Sequence, residues 1–288
     1  MSKEIRPMKI IAFSAVFLML LSPALRAQTK SLLIEDMTWT EVRDAIAAGK
    51  TTAIYYAGSI EQNGPGMALG KHVFIAHYLG QKIAAQLGNA LVYPTMPFAP
   101  TGAWGLAGPG VIDPGKKTGH MRYAGSVNLA DDTFGAVAHD VALSAISAGF
   151  KNVVLMCDHG GNAQSQLDQV AKSLNAEWTP KGIHVYYIPD PYFKEKDVMK
   201  EYLQKHALPL DVHAGTDDAS ELEYIDKTVN GTSAKWVRPG KLVNGHDGDG
   251  SGVDGDQTKA TLELGKMFTD AKVSLAVSQI RKLIAAGQ

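Results

Sequence analysis

Three short stretches concentrate the side chains that could do chemistry. Asp158-His159-Gly160-Gly161-Asn162 sets a carboxylate and an imidazole beside two glycines that leave the backbone open to close approach. His213-Ala214-Gly215-Thr216-Asp217-Asp218-Ala219-Ser220 adds a histidine and two carboxylates, and Glu61 and His72 bracket a Gly-rich loop. Imidazole nitrogen and carboxylate oxygen together suit a divalent ion such as zinc, with manganese or iron as alternatives. Each stretch also has a plainer reading. His159 could hydrogen-bond within its own loop, and the His213 stretch could be a solvated turn leading into a helix cap.

These residues can act together only if secondary structure gathers them. Thr52 to Tyr56, Ala90 to Pro94, Asn152 to Cys157 and His184 to Pro189 are short continuous apolar runs rich in β-branched and aromatic residues, which reads as strands. Helical spacing recurs at Trp39 to Ala48, His72 to Leu87, Asp131 to Gly149, Gln164 to Leu174 and Gln257 to Ala285. Strands apolar on both faces, alternating with helices, predict one α/β domain over residues 28–288 with a mostly parallel sheet covered on two sides. Ligands bind such sheets beyond the carboxyl ends of the strands. The loop after Gly58 and the Asp158 stretch both follow strands, so potential ligands are expected at the same edge.

In sequence order, the three stretches resemble the creatininase family of metal-dependent amidohydrolases. The family's signatures run roughly E-Q-H-G-P-H-L-P-L-G-T-D, H-G-G-N and H-A-G-x-x-E-T-S. This chain has Glu61-Gln62-Asn63-Gly64-Pro65-Gly66-Met67-Ala68-Leu69-Gly70-Lys71-His72, then His159 to Asn162, then His213 to Ser220. Gly119-His120-Met121-Arg122-Tyr123-Ala124-Gly125-Ser126 is similar to a family segment ending F-P-G-T, and Gly252 to Asp256 to a G-V-x-G-D loop. The likeness runs from about Thr38 to the carboxyl terminus. It implies a three-layer α/β/α fold, a homo-oligomer, often a hexamer, and hydrolysis of a non-peptide C–N bond in a small, possibly cyclic amide.

The departures narrow what the resemblance implies. Asn63 and Gly66 stand where the family has histidines, and His72 stands where it has a metal-bridging aspartate. An imidazole nitrogen does not bridge two ions as a carboxylate does. Carried over residue by residue, the metal set is Glu61, His72, His159 and Asp218, enough for one zinc-like ion, or for one tight and one weak site. His213 is the candidate for proton transfer, with Asp158 a further candidate and Asn63 placed to orient a substrate carbonyl or a water. Asn63, Gly66 and Ala219 also favour a competing reading, a periplasmic binding or accessory protein that kept the fold without the catalysis.

Composition and the chain's first residues complete the reading. The 288 residues are 45% hydrophobic and 20% charged, with 29 glycines and 13 prolines spread without a three-residue period, which excludes fibrous and low-complexity classes. Net charge is −1 overall, with +3 in the first 27 residues and −4 in the remainder. No basic face for nucleic acid is expected. Lys3, Arg6 and Lys9 precede the apolar run Ile10 to Leu21 and then Ala24-Leu25-Arg26-Ala27, the pattern of a secretory signal cut after Ala27, which predicts export, most simply to a periplasm, without stable membrane association after cleavage. Cys157 is the single cysteine, inside an apolar run, so no internal disulfide can form. Asp247-Gly248-Asp249-Gly250-Ser251-Gly252 imitates a calcium loop, but Thr258 occupies its twelfth position. Gly250 to Gly255 matches G-x-G-x-x-G amid four aspartates that would repel a pyrophosphate, so it reads as a loop over the site. Trp104, in the Gly- and Pro-rich stretch Pro100 to Gly115, is expected in the pocket wall, and the chain has no G-x-S-x-G nucleophile elbow.

Overall fold

A computed structural model describes residues 31–287, Gly110 excepted; the signal read over residues 1–27 lies outside the described residues. The first helix, α1 (Trp39–Ala47), starts at Thr38, whose hydroxyl accepts from the Glu41 amide while the Glu41 carboxylate accepts from the Thr38 amide. That reciprocal cap satisfies two otherwise orphaned donors. There follow β1 (Thr52–Ala57), α2 (Lys71–Leu87), β2 (Ala90–Val92), β3 (Gly102–Gly108), β4 (Val111–Gly119), α3 (Asp131–Ala148), β5 (Asn152–Cys157) and α4 (Asn162–Trp178). The remainder is β6 (His184–Tyr187), α5 (Asp190–Phe193), α6 (Glu195–Lys205), α7 (Thr216–Asn230), β7 (Asn244–Gly245), β8 (Gly255–Asp256) and α8 (Leu262–Gly287).

The central sheet has the order β2-β1-β5-β6 and every pairing in it is parallel. Side chains alternate across each strand, so β1 supplies both cores. Ala53, Tyr55 and Ala57 pack with Phe134 and Ala138 of α3 and Leu167 of α4. Ile54 and Tyr56 pack on the opposite face with Ile75 and Leu79 of α2 and Val273 of α8. The result is the expected α/β fold, with helices covering both faces of a parallel sheet. Cys157 is buried at the end of β5 as a free thiol, and burial pushes its pKa up.

The strand order positions the site. From β1 the chain crosses to β2 on one side and returns past β1 to β5 on the other, so β1 and β5 flank the point where the connections diverge. A crevice opens there beyond the carboxyl ends of the strands. Gly58 lets α2 start directly over the end of β1, because a Cβ at that position would come within 2.6 Å of the His72 backbone. Lys71 and His72 thereby enter the crevice on the first turn of α2.

One stretch differs from the sequence expectation. Pro100 to Gly115 lies largely within an antiparallel hairpin, β3 with β4, in which Trp104 pairs with Lys117. The hairpin stands in solvent with Leu106, Val111 and Ile112 exposed. Trp104 is not among the residues lining the central cavity; the hairpin's foot, Pro100, Thr101, Gly102, Gly119 and His120, reaches it.

Candidate metal centre

The crevice holds a cavity of about 640 Å³, lined by Glu61, Lys71, His72, His120, Asp158, His159, His213, Asp218 and Lys272 among others. Glu61 is its centre. Oε1 accepts from Nε2 of His72 over 2.6 Å. Oε2 has Nε2 of His159 at 2.6 Å and Nε2 of His120 at 3.6 Å, yet among the described residues no hydrogen bond of proper geometry reaches it. Burial works against ionising this carboxyl, but His159 and His72 outweigh it and hold Glu61 well below the usual carboxylate range.

The remaining acids around the cavity are differently served. Asp218 pairs with Lys71 at 2.8 Å, and the same oxygen accepts from the Ala214 amide. Asp217 pairs with Lys196 at 2.8 Å. Lys272 lies 3.2 Å from Asp158, 3.1 Å from Glu195 and 2.6 Å from Glu221. Each of these carboxylates thus has an ammonium group beside it, whereas among the described residues the groups in ion-pair contact with Glu61 are the imidazoles of His72, His120 and His159. Glu61, His120 and His213 offer ligand atoms that all lie within 4.8 Å of one another.

Of the residues singled out from sequence, the fold gathers Glu61, His72, Asp158, His159, His213 and Asp218 around this cavity. Their engagements differ from a simple four-ligand set. Both ring nitrogens of His72 are taken, Nε2 by Glu61 and Nδ1 by Asp158 at 2.8 Å. Burial and Lys71 disfavour its imidazolium, but the two carboxylates prevail and raise its pKa. Oδ2 of Asp218 already holds Lys71, which keeps Asp218 well below the usual carboxylate range against the effect of burial. Asn63 is fully buried and not among the lining residues; its amide donates to the Glu61 carbonyl over 2.9 Å, bracing the loop from within. Gly66 has no room for a side chain, since a Cβ there would come within 2.6 Å of Leu242.

His213 is held by Gln62, whose Nε2 lies 3.1 Å from its Nε2 and 3.2 Å from Nδ1 of His120. The two rings are 4.4 Å apart. Burial and then Lys71 lower the His213 pKa to about 4, so the ring is neutral at pH 7, and its Nε2 also lies 3.1 Å from the Gln62 carbonyl. Ala214 beside it adopts φ 54°, a left-handed conformation uncommon for a residue with a side chain. The loop of His246 to Asp254 borders a smaller cavity on the other side of His120 and His213.

His120 was no more than a minor echo in the sequence, in a segment following a Gly-rich stretch. The missing signal was the hairpin, which carries the chain out and returns it to the crevice just before His120. Lys71 and Lys272 were legible in principle. Lys272 interrupts the buried stripe Phe268, Thr269, Val273, Ala276 of α8, and a lysine on an apolar stripe requires a buried partner.

Comparison with known proteins agrees with this architecture. A creatinine amidohydrolase of Pseudomonas putida is 24% identical over 135 residues, 47% of this chain and 47% of the relative's length, so the aligned chain spans about half of that relative. Among solved structures, a mutant creatininase of the Zn-Zn type superposes with a TM-score of 0.66 at 18% identity, covering 89% of this chain and 99% of the other. A manganese creatininase gives a TM-score of 0.66 at 18% identity over 88% and 99%. At that identity the superpositions show the fold. The family model for creatininase, described as creatinine amidohydrolase, matches residues 35–280, most of the chain, and this protein belongs to the creatininase family.

Proposed function

We propose that the protein is a metal-dependent hydrolase of a small amide, cutting a non-peptide C–N bond, with one divalent ion held by Glu61, His120 and His159. The observation that carries this reading is the state of Glu61: a fully buried carboxylate with one oxygen lacking a proper hydrogen bond and facing two imidazole nitrogens. Burying such a group is costly unless a cation satisfies it. A single ion is favoured because the other acids around the cavity already have ammonium partners. Zinc and manganese are the metals named for the structural relatives, and an N,O donor set takes either.

When bound, a divalent ion lowers the pKa of water and polarises a carbonyl. The chain's own groups do the rest. His213, neutral and tied to Gln62, accepts the proton removed from the attacking water and returns it to the leaving nitrogen. Lys71 supplies a fixed positive charge at the cavity wall, its ammonium kept charged against burial by Asp218 and Glu61. His72 and Asp158 hold Glu61 in place.

The cavity has room for a small, possibly cyclic amide. A screen of amides, imides and lactones against the apo protein with added zinc or manganese tests the activity, and turnover of an amide with loss under chelator is the expected result. Export from the cytoplasm and assembly into a homo-oligomer belong to the same reading, supported by the charged and apolar first residues and by the exposed apolar residues of the β3–β4 hairpin.

A further inference from the structure

An unbroken series of buried polar contacts runs from the last helix to Oε1 of Glu61, the oxygen opposite the one left without a hydrogen bond. Lys272, on α8, lies 3.2 Å from Oδ1 of Asp158 at the end of β5. Oδ2 of Asp158 accepts from Nδ1 of His72 over 2.8 Å, and Nε2 of His72 donates to Oε1 of Glu61 over 2.6 Å. The members come from α8, the β5 end, α2 and the β1 loop, and none is more than 7% exposed. We propose that Lys272 is a positioning residue for the metal centre, acting through Asp158 and His72 to fix which oxygen of Glu61 faces the ion. This rests on the reading of Glu61 as a metal ligand.

The physical argument is one of available partners. His72 can hold Glu61 by one oxygen only while its ring stays in one orientation, and that orientation is set by Asp158 at the opposite nitrogen. With Oε1 engaged by His72, Oε2 is the oxygen left to face the ion. Lys272 occupies Oδ1 of Asp158 and thereby leaves Oδ2 for His72. In a buried, low-dielectric setting such serial hydrogen bonds reinforce one another, and partners behind a metal ligand commonly change affinity 10- to 100-fold when removed. Lys272 also touches Glu195 and Glu221, so neutralising buried acid is the competing explanation for its presence. The two explanations separate at Glu221, which lies on Lys272 but off the path to Glu61.

The test is zinc affinity of the full mature chain, measured by competition with a chromophoric chelator, with circular dichroism and urea unfolding on each variant. Lys272→Met combined with Glu221→Gln removes a buried acid along with the cation and so limits the charge imbalance. It is expected to fold and to bind zinc 10- to 100-fold more weakly, while Glu221→Gln alone stays within about threefold of wild type. In a His72→Gln background the path is already cut, so adding Lys272→Met and Glu221→Gln should cost less than about threefold more. Asp158→Asn, which leaves one acceptor oxygen for two donors, Lys272 and His72, and so interrupts the path, gives a second route to the same question if the Lys272 variant fails to fold. Wild-type zinc affinity in the folded Lys272 variant or in Asp158→Asn overturns the proposal, as does an undiminished Lys272 effect without His72. Failure of the wild-type chain to bind zinc or manganese would instead remove the underlying reading of Glu61.

Discussion

Nε2 of His72 lies 2.6 Å from Oε1 of Glu61, and Nε2 of His159 lies at the same distance from Oε2. The two contacts are not equivalent. His72 donates a hydrogen bond and has its other nitrogen on Asp158, whereas the His159 contact lacks hydrogen-bond geometry and Nδ1 of His159 is turned to the Gly160 carbonyl over 3.0 Å. One side of Glu61 is therefore locked, and the other presents donor atoms to a cation.

This asymmetry sorts the histidines by experiment. Replacing His120 or His159 with Ala should lower bound metal and activity together. His213→Asn should keep the metal while turnover falls by about 10² to 10⁴. Metal analysis beside steady-state rates checks both. Loss of the metal in His213→Asn would make His213 a ligand, in keeping with its place within 4.8 Å of Glu61 and His120.

The Lys71–Asp218 pair should leave a signature in stability against pH. Asp218 is depressed in the folded state, so its contribution is present above the unfolded carboxylate pKa of about 4 and is lost as pH falls below it. Lys71→Met strands a buried carboxylate and should cost about 3 kcal/mol near pH 7. In that variant Asp218 takes up a proton more readily, so the gap from wild type narrows at acid pH. Urea midpoints from pH 7 to pH 3 read this out; a gap that stays constant would show that Lys71 acts by packing alone.

How much of this was legible beforehand depends on where the information resides. β1 and β5 were readable because strands buried on both faces must be apolar throughout, and Glu61, His159 and His213 because each belongs to a compact local motif. The β3–β4 hairpin was not, since strands exposed on both sides carry no alternation and this one is broken by Gly105, Gly108 and Pro114. The meeting of His120 with Glu61 depends on that hairpin and left no local trace. The engagement of His72 with two carboxylates, and of Asp218 with Lys71, is a matter of side-chain partners that spacing does not encode.

Assembly offers a simpler check. Two-stranded hairpins are marginal alone, and this one exposes Leu106, Val111 and Ile112. Light scattering of the mature chain should give a mass well above the monomer, and Ile112→Glu should lower it. A monomer at micromolar concentration would contradict the homo-oligomer.

The most direct measurement is the metal content of the mature protein after dialysis, by plasma mass spectrometry, for wild type and Glu61→Gln. The account predicts about one equivalent of a divalent transition metal per chain in wild type and almost none in a folded Glu61→Gln variant. A wild-type protein that holds no metal, even when zinc or manganese is supplied, or a Glu61→Gln variant that retains a full equivalent, would contradict it and favour a binding protein that keeps the fold without the chemistry.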